Sequence, residues 1–352
     1  MGSRATSGVI RAPREHGERI PLLSGLRGLA AIVVFTSHAA IIGFLPEELG
    51  HGFGQLGVML FFVLSGYLMA HIYLKSTISR GELISYSLAR IGRVVPLYFA
   101  VIVVSAIIFD FVYPEFRYAI SFRNAQVFLS AVTFVSAPFE LWTIPVEIQF
   151  YAIFPIFWYL YSRGWRFKLI AVAGLFLAPT AITIVLFREK YTFFSTYGHA
   201  FFSGAAISMI VDPIKQRLTR SIPPWLGIAF LALFLINLPF VRMKYGLSLS
   251  HGEYWISTWL DPLTWITIFG LFICSVCGSP SLNILNTDIF RFLGKVSYGF
   301  YLFHYPILLA FADLMGTGLA PLALSTAVTV LMASLSFRYF EVPAMSWIRK
   351  YR

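Results

Sequence analysis

Long apolar runs, broken by short polar connections, dominate the chain. Ten runs approach the ~20 residues needed to cross a bilayer, near 22–42, 53–73, 94–112, 141–161, 168–187, 197–211, 223–241, 257–277, 297–314 and 319–338. The sixth is short. The pattern predicts an all-α, polytopic membrane helix bundle of about ten transmembrane helices. The connections are short and no internal repeat or flexible linker divides the chain, so residues 1–352 are expected to form one domain, with 1–20 a polar N-terminal segment.

A few polar residues inside the apolar runs stand out. Arg27 and His38 lie in LLSGLRGLAAIVVFTSHAA. On a helix they share one face, about 16 Å apart along the axis. Ionisable groups within a membrane are costly, and they usually face a protein-lined cavity and mark function. In ELWTIPVEIQFY, Trp142, Thr143, Glu147 and Tyr151 cluster at the head of the fourth run. Pro145 suits a first helical turn, so the regular helix is expected to begin near there, with the preceding residues folded into the outer membrane half. A buried Glu147 needs a partner, and His38 is a candidate; neutralising its own helix N-terminus is the plainer alternative. In FLGKVSYGFYLFHYP, Ser297, Tyr301 and His304 fall on one helical face, toward either a substrate or a neighbouring helix. Arg90 and Arg93, three apart in ARIGRVVPLY, suit either membrane anchoring or a phosphate clamp.

Composition agrees with the pattern. The chain is 58% hydrophobic and 12% charged, against roughly 25% charged residues in soluble domains. The aromatic share of 17% suits membrane interfaces. The net charge of +11 reads as anchoring charge rather than a nucleic-acid patch. With the N-terminus inside, the alternating cytoplasmic segments hold 21 of the 27 Lys and Arg residues. The outer segments hold only Arg117, Arg123, Arg188, Lys190, Arg242 and Lys244. Both termini are therefore expected in the cytoplasm.

The first 20 residues lack the apolar core of a signal peptide, so the first span is expected to stay uncleaved. MGSRAT fits a loose myristoylation pattern that ten spans make redundant. Cys274 and Cys277 form a CxxC inside an apolar run, where packing is the plainer role than redox chemistry. No zinc-ligand spacing, phosphate-binding glycine loop, dinucleotide turn or GxSxG elbow is present, so neither a metal nor a permanent cofactor is expected.

Six segments in order resemble the acyltransferase 3 family of integral-membrane acyltransferases: LRGLAAIVVFTSH, FFVLSGYL, ARIGRVVPLY, WTIPVEIQFY, GKVSYGFYLFHYP and FEVP ending at Pro343. The resemblance implies an acyl group, acetyl by default, moved from cytoplasmic acyl-CoA to a hydroxyl of a carbohydrate or glycosylated acceptor. It also implies a multi-pass place in a bacterial cytoplasmic membrane, and a stand-alone form without the C-terminal hydrolase-like domain of some members. Carried over residue by residue, it makes His38 the catalytic base and Glu147 its orienter. Arg27 becomes a phosphate contact, with Arg90 and Arg93 further donor-site candidates. Trp142, Tyr151, Ser297, Tyr301 and His304 would line the cavity, and Glu341 would pair with a cytoplasmic arginine. A hydroxyl attacking a thioester must lose a proton, and His is the usual base near neutral pH. Direct transfer and transfer through an acyl-histidine are both open. The competing class is a transporter or flippase of a glycan or small glycoside.

Overall fold

The structure, a computed structural model, describes residues 21–112, 120–164, 194–247 and 258–351. The expected span 168–187 and the polar segment 1–20 lie outside the described residues, as do Arg117, Arg188 and Lys190. Every regular element among the described residues is helical. In chain order these are α1 (Pro21–Ile42), α2 (Phe53–Tyr73), α3 (Arg80–Ile107), α4 (Ala125–Val132), α5 (Thr143–Ser162), α6 (Phe194–Ser221), α7 (Leu226–Ile236), α8 (Pro239–Lys244), α9 (Pro262–Val276), α10 (Asp288–Met315), α11 (Leu319–Ser336) and α12 (Val342–Arg349). A 3₁₀ turn, Phe139–Trp142, leads into α5, and a π turn, Phe337–Glu341, joins α11 to α12.

Among the described residues, five helical stretches are long and apolar enough to cross a membrane. The number rises to seven if two bent pairs each count as one span: Thr196–Ser221 with Leu226–Ile236, at 106°, and Pro262–Val276 with Pro280–Asn286, at 88°. Around an apolar core, many large apolar side chains are exposed while several hydroxyls are fully buried. Leu314 and Leu319 are 81% exposed, whereas Thr264, Ser325 and Thr329 are fully buried. Apolar side chains facing out and hydroxyls facing in suit a lipid surround, where polar groups must find partners inside the bundle.

Two boundaries differ from the sequence pattern. α3 starts at Arg80, not near 94, because Ser79 caps it: the Ser79 Oγ accepts from the Glu82 N–H at 3.2 Å. The apolar run 223–241 is not one helix. α7 stops at Ile236, Asn237 turns its side chain to Thr264 Oγ1 at 3.0 Å, and Pro239 opens the short α8.

Close helix approach positions the interior. α1 lies against both α2 and α10, and α2 packs on α6. A Cβ on Gly294 of α10 would collide with the Ser24 carbonyl of α1, and one on Gly66 of α2 with the Phe201 carbonyl of α6. Such near-backbone contact is how membrane helices gain packing energy when no water is expelled between them. It holds the α1 and α10 side chains in register.

Candidate active site

α1 and α10 bring two histidines together. His38 Nδ1 and His304 Nε2 are 2.6 Å apart, with the rings stacked at 4.9 Å between centroids and 17° between planes. His304 Nδ1 lies 2.6 Å from the Tyr301 carbonyl oxygen of its own helix. A carbonyl can only accept, so His304 Nδ1 carries the proton and, in the neutral ring, Nε2 carries the lone pair. His38 Nδ1–H then donates to it, and the lone pair of a neutral His38 is on Nε2. Backbone geometry thus sets the tautomer of both rings. Pro306 within α10 interrupts the helical ladder just beyond this point.

His38 lines a cavity of about 180 Å³ with Ser37, Gln55, Phe139, Glu140, Trp142 and Tyr301. The 3₁₀ turn Phe139–Trp142 folds inward to form part of this wall, and regular helix begins at Thr143, two residues ahead of Pro145. Tyr301 Oη donates to the Glu140 carbonyl at 2.8 Å and pins the turn to α10.

A second, narrower chamber of about 50 Å³ is lined by Arg27, Phe61, Phe62, Glu147, Ser297 and Tyr298. Val58 and Tyr301 line both spaces, so the two meet across those side chains. Arg27 sits within electrostatic reach of Arg90, Arg93, Glu147 and Tyr151. Glu341 is within reach of Arg27 and Arg93, and its Oε1 accepts from Ser336 Oγ at 3.1 Å. The Arg90 guanidinium stands over the Tyr151 ring at 5.9 Å. The ion pairs found among the described residues are His71–Asp212, Arg242–Asp261 and Arg291–Asp288, none of which involves these arginines. The Nε atoms of Arg27 and Arg90 are buried without a hydrogen-bond partner among the described residues. Buried guanidinium donors left unmatched invite an anion.

The expected residues thus separate into two groups. Arg27, Arg90, Arg93, Glu147, Tyr151 and Ser297 gather around the narrow chamber, whereas His38, His304 and Trp142 gather around the wider one; Tyr301 belongs to both. Glu147 takes partners other than the one expected. It accepts from Tyr151 Oη and from Ser65 Oγ, the latter at 3.1 Å, while His38 Nδ1 meets His304. Glu147 lies one turn before Tyr151 on α5 and within electrostatic reach of Arg27, which places it on the arginine side rather than beside His38. Cys274 and Cys277 are buried, free thiols.

Sequence reasoning passed over Glu140, which is 8% exposed in the His38 cavity. It also passed over His71 and Asp212, paired at 2.6 Å, with Tyr67 and Ser208 donating to Asp212 at 2.8 and 2.9 Å. The signal was present in each case: an ionisable residue inside or bordering an apolar run.

Comparison with known proteins bears on this arrangement. The peptidoglycan O-acetyltransferase OatA of Listeria monocytogenes is 27% identical over 95% of this chain and 57% of its own length. The putative peptidoglycan O-acetyltransferase YrhL of Bacillus subtilis is 27% identical over 94% of this chain and 55% of its own. The O-acetyltransferase OatA of Staphylococcus aureus is 24% identical over 92% and 57%. The chain therefore spans a little over half the length of the curated relatives it matches. No solved structure matches it. The acyltransferase 3 family model, described as an acyltransferase domain, matches residues 20–339, and the chain belongs to that family.

Proposed function

We propose that the protein is a membrane-embedded O-acetyltransferase that moves acetyl from acyl-CoA to a hydroxyl of a cell-wall carbohydrate. The observation that carries the reading is the His38–His304 pair, with its tautomers set by the Tyr301 carbonyl, one shared wall away from the arginine chamber. Membership of the family and relatives named as peptidoglycan O-acetyltransferases support it.

In this reading Arg27, Arg90 and Arg93 hold phosphate oxygens of the donor through guanidinium forks. The narrow chamber beside Arg27 and Glu147 would receive the acyl-thioester end. Glu147 and Glu341 offset part of the arginine charge and keep the side chains spread. The acceptor hydroxyl gives its proton to His38 Nε2 as its oxygen attacks the thioester carbonyl carbon. The tetrahedral intermediate then collapses, the carbon–sulfur bond breaks, and the leaving thiolate takes the proton from the imidazolium. Atoms and charge balance with no permanent cofactor. His304 keeps His38 in the productive tautomer and accepts from its Nδ1–H throughout; it is a positioning residue.

The asymmetry of Lys and Arg supports ten spans with both termini in the cytoplasm, the donor on that side, and a bacterial cytoplasmic membrane as the setting. Full-length protein in detergent, given radiolabelled acetyl-CoA and peptidoglycan fragments, tests the reading. Base-labile label on the glycan, absent with His38→Ala, is the expected result. Glycan binding without any transfer would overturn it in favour of a transporter, since vectorial movement is impossible in a micelle.

A further inference from the structure

The His38 cavity contains a carboxylate to which the transfer chemistry gives no task. Glu140 lines that cavity and is 8% exposed. Its placement is enforced. Phe139, just before it, has φ +49, a left-handed conformation that a bulky side chain adopts only when its surroundings demand it. The Glu140 carbonyl is tied down by Tyr301 Oη at 2.8 Å. Backbone strain held in place by a neighbouring helix is a feature of functional sites.

Across the same cavity, Gln55 Oε1 accepts from Trp259 Nε1–H at 2.8 Å. The indole can only donate, so the amide orientation is settled and the Gln55 NH₂ group is left as a donor. Trp142 adds an aromatic wall, braced by Tyr197 at 4.5 Å between ring centroids. The cavity of about 180 Å³ has room for a hydroxylated ring. A sugar ring needs acceptors for its O–H groups, donors for its oxygens, and a flat apolar surface. Glu140, Gln55 and Trp142 supply one of each.

We propose that Glu140 and Gln55 form the acceptor subsite and set which hydroxyl is acylated. The Glu140 carboxylate accepts from a hydroxyl adjacent to the reacting one, the Gln55 amide donates to a further ring or hydroxyl oxygen, and the reacting oxygen is thereby turned toward His38 Nε2. This rests on the acetyltransferase reading and names the carbohydrate-recognising groups within it.

The test uses the full chain in detergent and a β-1,4-linked N-acetylglucosamine tetramer as probe. Calorimetry measures tetramer binding without donor, calorimetry with acetyl-CoA measures donor binding, and radiolabel transfer gives kcat and KM. Glu140→Gln is expected to weaken tetramer binding at least tenfold and to raise its KM by a similar factor, with acetyl-CoA affinity at the wild-type value. Gln55→Leu, a change outside the strained turn, is expected to act in the same direction. Unchanged tetramer affinity in both variants would overturn the proposal, as would a wild type that does not bind the tetramer. So would a fall in kcat at constant KM, which would make Glu140 an orienter of His38. Glu140-dependent tetramer binding with no acetyl transfer by the wild type separates the two claims: it sinks the enzymatic reading and leaves the subsite standing.

Discussion

Replacing His304 by Ala tests the histidine pair most directly. In the resting state His38 Nδ1–H donates to a neutral His304 Nε2 at 2.6 Å. In the proposed reaction His38 takes the hydroxyl proton and becomes a cation, and the same bond would become charge-assisted. Hydrogen bonds to charged groups contribute about 1.5–3 kcal/mol, which converts to a rate effect of about 10–150-fold. His304→Ala should therefore lower kcat by roughly that factor, with acetyl-CoA affinity unchanged because the arginine chamber is lined by other residues. His304→Gln should recover part of the loss, since a Gln oxygen reaches the position of Nε2 and still accepts. The assay is radiolabel transfer at saturating acetyl-CoA, with donor affinity from calorimetry and folding checked by thermal unfolding. A His304→Ala protein within threefold of wild type would refute the argument. So would Gln and Ala variants that are equally slow but folded, which would make the pair a packing contact.

Four further predictions follow the same logic. Arg27→Ala should weaken acetyl-CoA binding in calorimetry and Arg27→Lys should restore it only in part, because an ammonium lacks the planar fork; wild-type affinity in Arg27→Ala would reject the phosphate contact. Asp261 is buried and accepts both Arg242 guanidinium nitrogens at 2.7 Å. Asp261→Asn should cost about 3–5 kcal/mol by stranding Arg242, and a melting temperature at pH 7 equal to wild type would contradict this. Gly66→Ala should drive α2 from α6 and cost about 1–3 kcal/mol as overpacking; an unshifted melting temperature would show that the helices accommodate the methyl. Single cysteines at 218 and 350 should label from the cytoplasm and one at 244 from outside, and outward labelling at 218 would sink the ten-span topology.

What could be read from the sequence was whatever is local. The apolar run 22–42 locates α1 within one residue, and Pro145 marks the start of α5 within two. The shared face of Ser297, Tyr301 and His304 was visible because helical spacing alone determines it, and Ser297 and His304 are each 1% exposed and Tyr301 8%. Pairing was not visible. His38 and His304 lie 266 residues apart, and no periodicity says which of several buried polar groups meet. Glu147 was assigned to His38 because a buried carboxylate needs a partner, but that principle does not choose the partner. Tertiary packing chose it, and that packing includes the turn at Phe139–Trp142, whose left-handed Phe139 no propensity would suggest. The break at Asn237–Pro239 had a signal in its Asn and Pro, but the reading of 223–241 weighed apolar content alone; the bond from Asn237 to Thr264 holds the break in place.

Val58 and Tyr301, which wall both chambers, have a consequence for how the donor reaches the site. In the proposed reaction the acyl-thioester end must reach across this shared wall to His38, so the wall meets a slim chain rather than the nucleotide. In that reading the donor's phosphates would stay with the arginines and the sugar with its own hydroxyl partners. Tyr301 also tethers the Glu140 carbonyl. The wall shared by the chambers and the turn that carries Glu140 therefore both depend on one phenol. Opening the wall at Val58 should admit longer acyl chains, whereas opening it at Tyr301 should loosen chain-length and sugar selectivity together.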